Sequence, residues 1–352
     1  METREAFLTL VRLGIGHKGG RLSGKVDWNA IRTHAEQQGL YAVVLDGIER
    51  LPENRRPPQE VLLEWIGEVL QNYEYCYEQY TKTISEMAAF YGGHGFKMMV
   101  LKGYTCSLNW PKPNHRPCGD IDIWQFGKRK EADSTVAQKK IEIDKSHHHH
   151  TVFNWGGFTV ENHYDFVNVN VHKSSVELEK IFKKLGQDDS HYVDLKGSCV
   201  FLPSSNLHAL FLIKHMVSHF VSSNVNLRQV LDWAFFVEKH IREIDWDWLN
   251  GMVEKYHMAD FINCINAICV EELGFESSIF HGVHINPDLK DKVFEDIINP
   301  KYEMAEPVGL LPRLVYKYRR WYGNKWKQEL CFDESRLLVF LKGLRAHLHK
   351  LS

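Results

Sequence analysis

The chain has 352 residues, a formal net charge of −2, 44% hydrophobic residues and 25% charged ones. That length accommodates roughly two or three compact units with a sizeable core, and the composition is globular, neither disordered nor membrane-embedded. A net charge this small excludes a global basic field, so any binding of polyanions requires a local patch.

The opening, Met1-Glu2-Thr3-Arg4-Glu5, lacks the basic start of a signal peptide, and Arg12 breaks the apolar run from Phe7 to Ile15. No later stretch approaches the roughly 18 apolar residues of a membrane-spanning helix. A cytoplasmic protein with no membrane partner is expected. Residues 1–83 read as a helical region. Asp27 is placed to cap a helix that starts at Trp28 and ends at Gly39, and Ala42-Val43-Val44-Leu45 opens the next apolar face. Beyond Pro57-Pro58, the residues Val61, Leu62, Trp65, Ile66, Val69, Leu70 and Tyr73 recur at helical spacing. This predicts one long helix, or two abutting ones, reaching Gly92-Gly93.

The texture then changes, and residues 84–202 read as a small mixed α/β unit. Phe96 to Leu101 has the length and apolar character of a buried strand, and Ile121-Asp122-Ile123-Trp124 is the next. Residues 128–140 are polar and predict a helix across one face of the sheet. Thr151-Val152-Phe153 and Phe158-Thr159-Val160-Glu161 read as two strands joined through Gly156-Gly157. Val167-Asn168-Val169-Asn170-Val171 alternates with period two and is expected to continue the sheet. From residue 203 to 352 the helical pattern returns. It is carried by Leu207, Leu210, Phe211, Ile213, Met216 and Val217, then by segments at 227–240, 246–256, 261–273 and 335–351. In the 227–240 segment Arg228 and Asp232 are one turn apart and able to pair. The expected fold class is α+β, a small mixed sheet flanked by amino- and carboxy-terminal helical regions.

The chemistry concentrates in the central unit. Asp120 and Asp122 alternate with Ile121 and Ile123, so on a strand both carboxylates share one face while the isoleucines enter the core. Hard oxygen ligands of this kind suit Mg²⁺, with Mn²⁺ as a substitute, and a third carboxylate would allow metal-assisted displacement at phosphorus. Glu161 on the following strand supplies that third carboxylate or a general base. His163 shares its face in support, and Asp165 is the rival third carboxylate. Gly119 before the pair lets backbone approach closely. Lys102-Gly103 sits at a strand-to-helix turn able to receive phosphate. Arg116, on the Pro-rich loop ahead of Asp120, is a candidate bidentate clamp on phosphate oxygens.

Leu101-Lys102-Gly103, then Arg116-Pro117-Cys118-Gly119-Asp120-Ile121-Asp122, then Val160-Glu161-Asn162-His163 together resemble the uncharacterised nucleotidyltransferase family of the DNA polymerase β-like nucleotidyltransferase superfamily. The resemblance implies a small mixed sheet between helices, Mg²⁺ held by the Asp pair, and transfer of a nucleoside monophosphate from an NTP. The acceptor hydroxyl is unidentified: a small molecule, a protein or an RNA. The chain departs from the superfamily at one turn, where Lys102-Gly103-Tyr104 stands in place of Gly-Ser. That departure motivates a competing expectation, a catalytically inactive nucleotide-binding or partner-binding module of the same fold.

Other features read more plainly. Arg313, Lys317, Arg319, Arg320, Lys325 and Lys327, interleaved with aromatics, predict a helix with an aromatic core stripe and a solvated basic face. Nucleic-acid binding through base stacking is the less favoured reading. The seven cysteines are scattered without a CxxC pair and read as reduced thiols. Four consecutive histidines, His147 to His150, read as the solvent-facing start of a strand, with metal ligation as the alternative.

Overall fold

The structure, a computed structural model, describes residues 3–20, 22–170, 172–281, 286–302 and 307–335. In chain order the first helices are α1 (Thr3–Gly14), α2 (Trp28–Gln37), α3 (Tyr41–Glu49), α4 (Gln59–Val69) and α5 (Cys76–Gly93). Next come β1 (Met99–Val100), α6 (Tyr104–Ser107), β2 (Ile121–Trp124), α7 (Arg129–Gln138), β3 (His150–Trp155), β4 (Phe158–His163), α8 (Lys173–Leu185), β5 (Tyr192–Leu195) and β6 (Ser198–Phe201). The series ends with α9 (Ser205–Ser222), α10 (Leu227–His240), α11 (Trp246–Lys255), α12 (Ala259–Glu271), α13 (Pro287–Ile298), α14 (Leu310–Gly323) and α15 (Lys325–Cys331). The fold is α+β. None of these helices is long and apolar enough to cross a membrane.

By compactness the chain divides into two units. Among the described residues, one gathers those up to Gln71, Trp110–Arg116 and Leu212–Asp333; the other gathers Asn72–Asn109, Pro117–Phe211 and Glu334 with Ser335. In the first unit, the Asp27 carboxylate accepts from the backbone N–H of Asn29 and Ala30, which satisfies two of the donors that a helix start leaves open. The segment 110–116 is stitched to α3 and α10 by buried carboxylates. Asp232 accepts from Trp110 Nε1 at 2.8 Å and from Arg116 Nε and Nη2 at 2.7 and 2.9 Å. Asp46 takes His115 Nδ1 at 2.7 Å. Arg116 reaches Asp232 from a distant segment because its planar guanidinium matches both carboxylate oxygens at once.

The second unit holds a six-stranded mixed sheet among the described residues, in the order β3-β4-β2-β1-β6-β5. Its core is formed by Ile84, Met87 and Tyr91 of α5 with Val100, Ile121, Ile123, Ala132, Val136, Phe153, Val160 and Val200. Burying such aliphatic side chains contributes about 1.5–3 kcal/mol each, which is why the period-two pattern of β2 holds. The β3–β4 hairpin turns at Gly156 and Gly157, with φ of 58° and 87°. Positive φ at both central residues defines the type I′ turn that matches strand twist. Below the hairpin, Asp133 of α7 accepts from Thr151 Oγ1 and from Asn162 Nδ2 at 2.8 Å, which anchors this face of the sheet to α7.

Three sequence expectations change. Of the 167–171 segment, the described residues 167–170 are not a strand: the Val167 N–H goes to Glu179 and the Asn170 N–H folds back to Asn168 Oδ1, a local Asx bond that competes with a ladder. Val171 lies outside the described residues, as does the helix expected at 335–351 beyond Ser335. β5, β6 and α8 add to the expected elements. In α14 and α15 Arg313, Lys317, Arg319 and Lys325 are exposed and Tyr316, Trp321 and Trp326 half-buried, as expected, but three residues depart from the pattern. Tyr318 and Tyr322 are exposed, whereas Lys327 is buried on Asp296 at 2.5 Å.

Candidate active site

The site grows from three strands of the second unit. β2 runs parallel to β4 with Asp122 opposite Glu161 and Trp124 opposite His163. β3 runs antiparallel to β4 with His150 opposite His163 and Val152 opposite Glu161. Register partners share a face, so Asp122, Glu161, His163 and His150 gather on one side of the sheet while Ile121 and Ile123 enter the core on the other. Trp124 closes one end of that face, packed on Phe166 with its indole N–H on the Gly186 carbonyl.

Asp122 is 1% exposed. Its Oδ1 receives Lys102 Nζ at 3.0 Å and His163 Nε2 at 3.1 Å. His163 Nδ1 lies 3.1 Å from the Asp165 carbonyl, so both ring nitrogens face acceptors, the arrangement of an imidazolium. Glu161 is half-buried, its Oε2 3.6 Å from His163 Nε2 and 3.5 Å from His150 Nδ1. Asp120 is the last residue before β2 and is exposed. Its carbonyl accepts from the Tyr80 hydroxyl at 3.0 Å. Ligand atoms of Asp122, Glu161 and His163 lie within 4.8 Å of one another, as do those of His149, His150 and His163; Asp120 stands outside both groups.

The electrostatics follow from this crowding. Burial alone would raise Asp122, but the charge of Lys102 and the His163 hydrogen bond outweigh it and hold the carboxyl well below the ordinary range. Burial would lower His163, yet hydrogen bonds to Asp122 and Glu161 lift it to about 9. Lys102 is likewise held above its ordinary value against its burial, by Asp122 and then Glu161. Asp120 moves the other way from Asp122. Although the residue reaches solvent, loss of water around its carboxylate and repulsion from Asp122 and Glu161 raise it. Burial and the neighbouring His163 push His149 and His150 down to about 3, so both rings are neutral.

Stability should respond to pH accordingly. A group whose folded pKa is raised stabilises fully below its unfolded pKa, about 6.5 for histidine, and that stability is lost as pH rises through the folded value. For chelator-treated protein, the melting temperature is expected to fall between pH 6.5 and about 9, the value reached by His163. His163→Asn should flatten this slope. A wild-type profile that stays flat across this window would contradict the charged Asp122–His163 pair.

Lys102-Gly103 does lie between strand and helix, as expected, but α6 is a single turn. Gly103 has φ 66° and ψ −97°, a backbone state that side chains with a Cβ rarely adopt. An added Cβ would overlap the Tyr80 hydroxyl. Gly103→Ala is therefore expected to destabilise by about 2 kcal/mol or more and to break the Tyr80 bond to Asp120; thermal denaturation measures it. At Gly119 a Cβ would meet nothing within 4 Å.

Two sequence candidates are engaged elsewhere. The Arg116 guanidinium lies on Asp232, and the Asp165 carboxylate is paired with Lys183. The structure also brings residues to this face that the carboxylate motif did not include. His149 and His150 of the histidine run lie against His163 rather than facing solvent. The signal was available: a two-residue turn at Gly156-Gly157 sets Trp155 opposite Phe158 and, counting back along the hairpin, His150 opposite His163. Tyr80 had no such signal, because it comes from the distant α5.

A family model described as "Uncharacterised nucleotidyltransferase" matches residues 24–274, a span containing every site residue above. Comparison with curated proteins and with solved structures finds no match.

Proposed function

From the premise that the chain belongs to the uncharacterised nucleotidyltransferase family, we propose that it transfers a nucleoside monophosphate from an NTP to an acceptor hydroxyl, with Mg²⁺ as cofactor. The observation that carries this reading is the register pairing of Asp122 with Glu161 beside Lys102. The donor set fits a hard divalent cation. Glu161 adds a second anionic oxygen ligand beside Asp122, and the raised Asp120 reports negative charge that Lys102 and His163 leave uncompensated. Asp120, Asp122 and Glu161 would hold Mg²⁺, with Mn²⁺ as a substitute. When bound, the ion neutralises triphosphate charge and polarises the reacting phosphorus.

The remaining work belongs to the chain. His163, locked between the Asp165 carbonyl and Asp122, orients the Asp122 carboxylate. Lys102 exchanges its contact with Asp122 for the β and γ phosphates, assisted by the Gly103 backbone N–H. Glu161, half-buried and facing the same side, takes the proton of the acceptor hydroxyl as general base. Positioning and charge stabilisation supply most of the rate in such transfers. Arg116 serves the fold through Asp232 and is left out of the phosphate path. A small molecule, a protein or an RNA can supply the acceptor. Labelled NTPs with Mg²⁺ and a cell extract test the proposal: label enters an acceptor fraction as pyrophosphate is released.

One observation favours a second reading. Lys102 already neutralises Asp122 from within the chain, as a non-catalytic module that retains the fold would require. Calorimetry with Mg²⁺ and each NTP separates the two, since nucleotide binding without any pyrophosphate release supports the module.

A further inference from the structure

We propose that His149, His150 and His163 form a second metal site, selective for a transition-metal ion of the zinc class. It goes beyond nucleotidyl transfer and does not depend on it. Ligand nitrogens of the three rings lie within 4.8 Å of one another. The ring centroids are 4.3 Å apart for His149–His150 and 5.2 Å for His150–His163. Imidazole nitrogens suit Zn²⁺, Co²⁺ and Ni²⁺, whereas Mg²⁺ prefers oxygen.

A second observation points to a ligand. His150 is 6% exposed, yet neither of its ring nitrogens has a hydrogen-bond partner, and His149 Nδ1 is buried in the same condition. Buried polar groups left this way are rare and costly. An ion would take one ring nitrogen from each of His149 and His150.

The backbone carrying these rings is also held in place. Asp144 and Val152 exchange two backbone hydrogen bonds of 2.8 and 2.9 Å. The Tyr164 hydroxyl donates to the His147 carbonyl at 2.9 Å, and the His149 carbonyl accepts the N–H groups of Tyr164 and Asp165 at 3.0 and 3.1 Å. Such anchoring preorganises a site, unlike a freely exposed histidine run. Ion uptake releases one ring proton of His163 to solvent, and the nitrogen that binds the ion gives up its bond to Asp122 or to the Asp165 carbonyl. It also couples the two ligand groups, because His163 belongs to both.

The test titrates chelator-stripped full-length chain with Zn²⁺ by calorimetry and with Co²⁺ by visible absorption, in the absence of nucleotide. The expected result is one ion per chain, with affinity at least about tenfold lower in His150→Gln and His163→Gln and unchanged in His148→Gln. Circular dichroism confirms that each variant is folded, and His149→Gln replaces any that is not. Absence of binding to wild type, folded His150→Gln binding as wild type does, or equal loss in His148→Gln as in a tag-like run would each overturn the site. Because no NTP is present, any of these outcomes leaves the nucleotidyltransferase reading standing, and failure of that reading leaves the metal titration intact.

Discussion

Asp122→Asn is expected to abolish nucleotidyl transfer and to lower the melting temperature, whereas Asp120→Asn abolishes transfer without weakening the fold. The two aspartates are chemically alike but electrostatically opposite. Asp122 is the buried counter-ion of Lys102 and His163. Its depressed pKa means that it stabilises the fold above the unfolded carboxylate value, with that stability lost only as pH falls through the folded one. Removing its charge leaves two cations facing each other. Breaking a buried pair costs about 3–5 kcal/mol, and partial exposure of Lys102 brings the expectation to about 2–4 kcal/mol. Asp120 is raised instead, so its ionised form destabilises the fold at neutral pH, and Asn relieves repulsion from Asp122 and Glu161. Both variants should lose at least about a hundredfold in turnover, the scale of one preorganised electrostatic contact. Denaturant titration at pH 7 measures the stability contrast; equal unfolding free energies for the two variants would sink this division of roles.

The second large effect lies in the first unit. Asp232→Ala is expected to destabilise by about 3–5 kcal/mol, because it strands the buried Arg116 guanidinium and leaves the Trp110 indole N–H without its acceptor. The double variant Arg116→Met/Asp232→Leu removes both charges and should recover most of that loss. It also separates two roles for Arg116. A folded double variant with wild-type NTP affinity assigns Arg116 to the fold, and a folded variant with weakened NTP affinity restores it as a phosphate ligand.

Local signals carried much of this. The alternation in Ile121-Asp122-Ile123 placed the strand and its two faces, and the cap at Asp27 placed the start of α2, because both depend on residues near in sequence. The Gly156-Gly157 turn placed a hairpin for the same reason. What stayed illegible depends on long-range partners. Asp232 takes Arg116 from a distant segment, and α5 sends Tyr80 to the Asp120 carbonyl. The alternation at 167–171 misled because asparagine bonds to its own backbone as readily as to a ladder. Asp120 and Asp122 are equivalent in the sequence pattern, and only the placement of Lys102 and His163 sets them apart.

The most direct measurement follows an NTP labelled at the α-phosphate, with Mg²⁺ and cell extract, in wild type, Asp120→Asn and Asp122→Asn. We expect label to pass to an acceptor as pyrophosphate appears in wild type, and neither signal in the two variants. Transfer that persists in a folded Asp122→Asn protein, or NTP bound by wild type with no pyrophosphate released, would contradict it.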